Sequence, residues 1–364
     1  MRTMQRVLVF PAWGDNPYLN LMSLAPRASG YEFRGATIVD SLVKSAADLA
    51  ANDVLHLHWT SPILQRAADG REAAAAFARF RALLDELRER GVKLVWTVHN
   101  QLPHELAYRE PEIELYRLLA ERADVVHVMS PATAEVLAGI CTLPADRVRH
   151  LPHPSYLGVY GVPPAKSEAR ALLGVDPVAP TVLFLGQMRP YKGLGTLLAA
   201  LRRLAETERT LPTLLLAGSA SAEVRAEIES SLPDGIPVVA KYEFVPDGEV
   251  GTWFAAADLA IFPYTAILNS GSVHLSAAFE VPAMLPNEPH LVQQFASEPW
   301  VSYFDVANPV ESMANGIRDR LLVDHRTEHG PGIDFDGFNE SVSPWRISRR
   351  YAGLLDELTG RRSE

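Results

Sequence analysis

Cysteine and long apolar runs are nearly absent from this sequence. The single cysteine, Cys141, excludes an intrachain disulfide and fits a reducing compartment. No stretch reaches the roughly 18 apolar residues that a membrane span needs. The first residues lead into an apolar strand pattern, without the charged and apolar regions of a signal peptide. We therefore expect a cytoplasmic protein, with peripheral contact at the inner membrane face left open.

A basic surplus and a dinucleotide fingerprint are also missing. Lysine and arginine number 34 against 44 aspartates and glutamates, so the formal net charge is −10. Dedicated nucleic-acid binders usually carry a basic field instead. The glycine loop at Gly14 does not match G-x-G-x-x-G. We expect no nucleic-acid partner and no dinucleotide cofactor, and the pattern specifies no oligomeric state.

The sequence does contain short apolar runs that alternate with helical patterns, and this alternation occurs once in each half of the chain. A chain of 364 residues is too long for one ordinary core, so two domains are expected. Residues 152–164 contain four prolines and indicate a linker. Alternation of this kind predicts an α/β fold with two Rossmann-like, doubly wound parallel-sheet domains facing a central cleft. The predicted strands are residues 6–10, 54–59, 92–98, 124–129 and 147–151, then 181–185, 213–217, 237–240, 258–262, 283–285 and 300–304.

The segment FLGQMRPYKG, residues 184–193, ends a predicted strand in a cationic turn. Gly186 breaks the strand, and Arg189 and Lys192 follow before a helix begins near Gly193. A helix start offers unsatisfied N–H groups and the positive end of its dipole, and the two side chains add charge-assisted hydrogen bonds. The turn therefore predicts a phosphate site, although a solvated turn without a ligand would have the same composition.

A second polar turn follows the predicted strand 258–262. Asn269, Ser270, Gly271 and Ser272 come immediately before an apolar helix. Glycine lets the backbone approach a ligand closely, and the serines can either cap the helix or donate to an anion. Because parallel strands end at one edge of a sheet, we expect this turn to lie opposite the cationic turn and to complete a diphosphate clamp.

His99 follows a strand end in the first half, within HNQLPHE. A histidine there can take a proton near neutral pH, or it can be a packed histidine bonded to a backbone carbonyl. His104 lies one turn further on. A metal site is not favoured because Pro103 interrupts any helical ligand spacing, so we expect no metal.

Further polar and aromatic residues of the first half have open roles. Asp15 is either a base or a turn-stabilising residue, and Asn16 accompanies it. His56 and His58 share one face of their strand by alternation. The aromatic rings of Trp13, Tyr18 and Trp59 could stack on a ligand or belong to the core.

Taken together, these segments resemble a known family. GQMRPYKG, the stretch AKYEFVPDGEVGTWFAAADLAIFPY and the Ser-Gly helix start resemble the nucleotide-sugar domain of family-4-like GT-B glycosyltransferases. GDNPY, HLHW and TVHNQLPHE are similar to bacterial exopolysaccharide mannosyltransferase-like members, and SPWRISRRY resembles the family's C-terminal helix, which crosses back to the first domain.

The resemblance implies roles for these residues. Residues 1–160 would bind the acceptor, with the helix 345–358 packed on them, and residues 165–342 would bind the nucleotide-sugar. The diphosphate would lie on Gly186, Arg189, Lys192, Ser270, Gly271 and Ser272, with Asn269 in the donor loop and Phe244 and Val245 at the base. His99 would contact the donor sugar, and Arg189 and Lys192 would act in catalysis with it. On the acceptor side the candidates are Asp15, Asn16, Trp59 and His104.

One departure from the family pattern falls in the second turn. Without a gap between Pro263 and Pro282, the family's two glutamates align with Ile267 and Leu275. Neither side chain can bind a hydroxyl as a carboxylate would, and Glu280 lies too far along the helix to replace them. We expect backbone N–H groups of residues 270–272 to contribute more to donor binding.

The resulting hypothesis is a glycosyltransferase of the hexosyltransferase class. It would move a sugar, on the resemblance mannose from GDP-mannose, to a hydroxyl of a glycan or lipid-linked acceptor in polysaccharide biosynthesis. Its co-substrate would be the nucleotide-sugar, with no further cofactor. The alternatives are a non-catalytic sugar-nucleotide-binding partner subunit and a GT-B sugar-nucleotide epimerase.

Overall fold

The computed structural model describes residues 4–14, 16–323 and 333–361. The chain divides into two compact units. Unit 1 comprises Met1–Pro154 and Val342–Glu364, and unit 2 comprises Ser155–Ser341. The division at Pro154 falls within the predicted linker, which ends where a helix of unit 2 begins at Lys166.

Unit 1 contains one six-stranded sheet in the order β2-β1-β3-β4-β5-β6, and all of its strand pairs are parallel. The strands are β1 Arg6–Phe10, β2 Glu32–Gly35, β3 Val54–Leu57, β4 Lys93–Val98, β5 Val125–Val128 and β6 Val148–His150. The helices are α1 Pro17–Ala28, α2 Val39–Ala46, α3 Ser61–Leu64, α4 Gly70–Glu89, α5 Arg109–Arg122 and α6 Thr133–Val136. The C-terminal helix α15, Pro344–Thr359, also belongs to this unit.

Unit 2 contains a second parallel sheet in the order β12-β11-β10-β7-β8-β9. Its strands are β7 Thr181–Leu185, β8 Thr213–Ala217, β9 Val238–Lys241, β10 Leu259–Ile261, β11 Ala283–Pro286 and β12 Val301–Phe304. Its helices are α7 Lys166–Leu173, α8 Leu194–Thr207, α9 Ala222–Ser231, α10 Asp247–Ala256, α11 Gly271–Ala278, α12 Pro289–Gln294, α13 Pro309–Ile317 and α14 Phe335–Ser341. A 3₁₀ turn, Pro190–Lys192, precedes α8, and a π-helical turn, Arg318–Val323, follows α13.

The strand orders fix where a ligand can approach each sheet. In both sheets the order reverses beside the first strand, between β1 and β3 in unit 1 and between β7 and β10 in unit 2. Ligands of doubly wound sheets bind outside the carboxyl ends of the strands at such a switch point. The prediction of two doubly wound parallel sheets is therefore confirmed, and the loops after these four strands are the places to look for function.

Two buried hydrogen bonds attach α15 to the rest of unit 1. The Ser348 hydroxyl donates to Met22 O at 2.8 Å and accepts from Ala25 N at 2.8 Å, both in α1. The Tyr31 hydroxyl lies 2.9 Å from the Asp356 carboxylate and 3.1 Å from Thr359 Oγ1. The C-terminal helix is thus fixed on α1 and on the segment between α1 and β2 by side chains near its beginning and in its last turn. Within the described ranges, no helix is both long enough and apolar enough to cross a bilayer.

Candidate functional site

The cationic turn of unit 2 lies at the carboxyl end of β7, beside the loop that follows β10. Gly186 leaves the strand with φ +137°, a conformation that favours glycine. Gly193 ends the 3₁₀ turn with φ +69°, and a Cβ there would lie 1.8 Å from the Pro263 carbonyl oxygen. The turn also accepts a hydrogen bond at Tyr191 O from Thr265 N, at 3.0 Å. The two loops at the switch point of unit 2 are therefore in direct contact.

Lys192 is held by an aromatic side chain from the neighbouring loop. Its Nζ donates to the Tyr264 hydroxyl at 3.1 Å and lies 4.3 Å from the centre of the Tyr264 ring. Burial disfavours the charged form of Lys192, but Tyr264 and Tyr191 outweigh it and raise the pKa of the ammonium group. The side chain is therefore a fixed positive charge at neutral pH, which is what an anionic ligand needs.

Tyr264 also touches the predicted helix start. Burial alone would raise the pKa of this phenol, yet Lys192 and the hydroxyls of Ser272 and Ser270 lower it. Ser270 is the N-cap residue of α11, but its side chain makes no capping hydrogen bond to that helix. Ser270 therefore does not cap α11 with its side chain, which was one of the two roles considered for it. The hydroxyl of Tyr264 links Lys192 to the beginning of α11.

The remaining donor-side candidates lie in the same unit. Arg189 is half-buried and extended immediately before the 3₁₀ turn. Asn269 is half-buried beside the N-cap. In the loop after β9, the ring of Phe244 is 66% exposed, whereas Val245 is buried in the core. Of the two base-site candidates, Phe244 thus has a side chain available for stacking.

The two positions that align with the family's glutamates are apolar for a structural reason. Leu275 is buried in the core of unit 2, and Ile267 packs against that core. Glu280 is exposed two residues beyond the carboxyl end of α11, at the opposite end of that helix from Gly271. Within the described part of unit 2, these positions therefore contribute packing.

In unit 1 the loops after β1, β3 and β4 bring three rings together. The Trp13 and Trp59 rings lie 4.6 Å apart, and the Trp59 and His99 rings lie 4.0 Å apart with 20° between their planes. Trp59 is half-buried and packs against a ring from each of two other loops. Of the two roles that the sequence leaves open for Trp59, stacking on a ligand and packing, these contacts favour packing.

His99 is part of a cluster of neutral imidazoles. Its Nε2 lies 2.9 Å from His58 Nδ1, and the His58 ring stacks on His56 at 4.0 Å. Burial is the main cause of a pKa well below the usual value at His99, and the rings of His127 and His153 lower it further. The same shift occurs at His58, mainly through burial. A ring with so little affinity for a proton is a weak general base and a good neutral hydrogen-bonding group.

Other acceptor-side candidates have different environments. Asn16 caps α1, since its Oδ1 accepts from Tyr18 N at 3.1 Å. His104 is exposed in the loop after β4. Asp15 lies outside the described residues. Cys141 is free and buried, and burial raises the pKa of its thiol to about 11.

Sequence reasoning missed Tyr264 as a site residue. Its signal is its place in the motif: it follows Pro263, three residues beyond the end of β10, at the switch point. It missed Tyr351 as well, which lies on α15 and bonds His56 in the first sheet. No local pattern connects residues 295 positions apart, so this contact needed the structure.

Comparison with known proteins agrees with the geometry. The family Glycosyltransferase Family 4 matches residues 53–154, and Glycosyl transferases group 1 matches residues 179–292. A GDP-mannose:glycolipid 4-beta-D-mannosyltransferase of Xanthomonas campestris pv. campestris is 25% identical over 248 residues, covering 65% of this chain. The match spans 62% of the length of that relative.

Solved structures share the fold over nearly the whole chain. Sucrose-phosphate synthase from Thermosynechococcus elongatus gives a TM-score of 0.75 at 16% identity and covers 99% of this chain and 100% of its own. The Anabaena protein Alr3699/HepE, solved in complex with UDP and glucose, gives 0.72 at 15% identity, with 98% and 100% covered. The two parallel sheets thus have the GT-B fold. With both family matches, which together cover more than half of the sequence, the chain belongs to the family-4-like GT-B glycosyltransferases.

Proposed function

We propose that the chain transfers a hexose from a nucleoside diphosphate-sugar to a hydroxyl of a glycan or lipid-linked acceptor, with GDP-mannose as the donor. The observation that carries this proposal is the hydrogen bond from Lys192 to Tyr264 at the switch point of unit 2. It holds a half-buried positive charge where doubly wound sheets bind phosphates. Family membership supplies the reaction class, and the printed name of the Xanthomonas relative supports mannose as the sugar.

In this mechanism Arg189 and Lys192 stabilise the charge that builds on the leaving diphosphate. The backbone N–H groups at the start of α11, around Gly271, add further donors. Loss of one preorganised donor of this kind typically lowers the rate on the order of 10²–10³-fold. Because two cations meet the diphosphate charge, we propose that no metal is required. Transfer that continues unchanged in EDTA would support this, and transfer abolished by EDTA would contradict it.

We assign His99 a binding role toward a donor-sugar hydroxyl. The low pKa of its ring supports this over proton abstraction, since an imidazole that stays neutral can accept or donate one hydrogen bond but holds an extra proton poorly. The acceptor proton would then pass to the leaving diphosphate. On the base side, the exposed ring of Phe244 is the candidate for stacking.

We also propose a cytoplasmic location, which the single buried thiol of Cys141 supports. A lipid-linked acceptor would bring the protein to the inner membrane face. We expect the protein to float with vesicles that carry the acceptor and not with vesicles that lack it.

Nucleotide binding is the first test. A ligand at 100 times its Kd stabilises a protein by about 2.7 kcal/mol. We expect GDP to raise the melting temperature most among GDP, UDP, ADP and TDP. A larger shift with UDP would replace the guanine assignment, and no shift with any of the four would overturn the clamp.

Transfer is the second test, with variants at matched lysines. K192A should abolish the GDP shift and transfer, whereas K44A, which removes an exposed lysine of α2 in unit 1, should leave both intact. Donor binding without transfer to any acceptor would favour the non-catalytic subunit, which the apolar residues Ile267 and Leu275 also favour. A changed sugar-nucleotide formed without acceptor would indicate an epimerase.

A further inference from the structure

A continuous line of buried side chains connects the C-terminal helix to three adjacent strands of unit 1. The Tyr351 hydroxyl on α15 lies 2.6 Å from His56 Nδ1 on β3. His56 Nε2 lies 2.7 Å from Thr97 Oγ1 on β4, which lies 2.9 Å from His127 Nδ1 on β5. His127 Nε2 then meets the backbone oxygen of Leu151 at 2.9 Å. All four side chains are buried, with at most 1% of each exposed.

The partners determine where every proton of this line resides. The Leu151 oxygen can only accept, so His127 carries its proton on Nε2 and its Nδ1 is an acceptor. Thr97 must therefore donate to His127 and accept from His56 Nε2–H. The remaining nitrogen of His56, Nδ1, has no proton and accepts from the Tyr351 hydroxyl. Reversing any one bond would set two acceptors against each other at Leu151.

This order requires each imidazole to carry a single proton. Burial lowers the pKa of His127 to about 4 and that of His56 well below its ordinary value. Both rings are therefore neutral at physiological pH, and each has one donor and one acceptor nitrogen. The proton order is complete without any charged member.

His56, the second member of the line, lies against the pair that contains the candidate sugar-binding histidine. The rings of His56 and His58 stack at 4.0 Å with 30° between their planes, and His58 Nδ1 lies 2.9 Å from His99 Nε2. His56 has both of its nitrogens anchored, so it presents a fixed surface to His58. A change at Tyr351 would reach His99 through two ring contacts.

We propose that Tyr351 is a positioning residue for His99, acting through the proton-ordered line Tyr351–His56–Thr97–His127. The line fixes the tautomer and tilt of His56, His56 fixes His58, and His58 orients His99. Its consequence for sugar transfer rests on the proposed function, whereas the proton order does not.

The first experiment compares two buried tyrosines at α15. Tyr351 lies on this helix, and Tyr31 bonds it from outside. Y351F removes the donor to His56, whereas Y31F removes a phenol that bonds Asp356 and Thr359 of α15 at a site without histidines. The full chain is labelled with ¹⁵N-histidine, and the ring nitrogens are observed by NMR. In the wild type we expect His56 and His127 both in the Nε2–H form. We expect Y351F, and not Y31F, to shift the ring signals of His58 and His99.

A second pair of variants tests the middle of the line. T97V keeps the shape of the side chain but removes the hydroxyl, so it should shift the same ring signals. T97S keeps the hydroxyl and should restore them. An Nδ1–H form of His56 or His127 would overturn the proposal. So would His58 and His99 signals that move no more in Y351F than in Y31F.

Activity provides a separate readout. We expect Y351F to lower kcat/KM for transfer roughly 10- to 100-fold, because misplacing a group at the site by a small distance lowers the rate by that order. The Kd for GDP should stay unchanged, because the diphosphate clamp belongs to unit 2. Wild-type protein that transfers no sugar would contradict the proposed function, and the ring signals would still decide the positioning role.

Discussion

Gly193 is the residue at which the donor-site geometry leaves least room for another side chain. It combines a positive φ of +69° with the position 1.8 Å from Pro263 O that a Cβ would occupy. Lys192 and Tyr264 bond each other immediately beside this contact. A larger residue would push the two loops of the switch point apart, so the position of Lys192 depends on this glycine.

We predict that G193A destabilises unit 2 by more than about 2 kcal/mol and weakens GDP binding at least 10-fold. The left-handed backbone alone costs an alanine about 1 kcal/mol, and the clash with Pro263 O adds to it. Urea unfolding and calorimetric titration with GDP measure the two effects.

Gly195 provides the control two residues away. It lies in the first turn of α8 with open space around its Cα, so G195A should be neutral or up to about 1 kcal/mol more stable because alanine favours the helix. Equal stabilities for the two variants would mean that the loops separate freely and that Gly193 does not set their spacing.

At the scale of elements, α15 is held to α1 by one buried hydroxyl. Ser348 Oγ bonds Met22 O and Ala25 N and is fully buried. Removing it leaves backbone groups without that partner, which costs about 1–3 kcal/mol. We predict this loss for S348A, measured as the free energy of unfolding of unit 1 by urea.

The matched control is S230A in α9, where an exposed serine hydroxyl donates to Glu227 O. Water replaces that bond, so its removal should change the stability by less than about 0.5 kcal/mol. Similar losses for S348A and S230A would show that the α1–α15 contact does not depend on this hydroxyl.

Most of the strands could be predicted from the sequence because each buried strand is a continuous run of apolar residues. β7 and β8 have the predicted bounds, residues 181–185 and 213–217, because they begin and end where the apolar runs do. The strand β2, Glu32–Gly35, and the helix α2 were missed. β2 is an edge strand with no fully buried residue, so it lacks the apolar run that marks the inner strands.

The candidate site was predictable only where its chemistry is local. Arg189 and Lys192 lie within one turn, and the serines flank Gly271 in the next loop, so a motif could find them. His56 and His58 stack as alternation predicts. The pairing of Lys192 with Tyr264 and of Tyr351 with His56 depends on which strands are neighbours, which is a property of the folded sheet.

At the scale of the whole molecule, buried histidines are distributed unequally. Seven of the eleven histidines belong to unit 1. Burial lowers the pKa of both His127 and His153 to about 4, against about 6.5 in an unfolded chain. In unit 2, burial lowers the pKa of the buried His290 in the same direction. The two units should therefore respond differently to acid.

The sign follows from which state binds more protons. Between pH 6.5 and 4 the unfolded chain protonates these histidines and the folded chain does not, so acid favours unfolding. Their stabilisation is complete above about pH 6.5 and is lost as the pH falls toward 4, at up to about 1.4 kcal/mol per pH unit for each ring. From pH 6.5 to 5, His127 and His153 together remove about 3 kcal/mol, a large part of the 5–15 kcal/mol typical of a domain.

We predict that unit 1 loses stability before unit 2 as the pH falls from 7.5 to 5. Asp258, a half-buried carboxylate of unit 2, titrates at a lower pH than these histidines. Burial would raise its pKa, but Lys166 and Arg170 hold it below the usual value, so its contribution persists until the pH falls below about 4. Hydrogen exchange with mass spectrometry, corrected for the intrinsic rate at each pH, locates the change. Peptides from residues 54–154 should lose protection at pH 5, while those from residues 181–304 should keep it. Equal protection of both sets would contradict the prediction. It would mean that the imidazoles of unit 1 are hydrated enough to titrate normally.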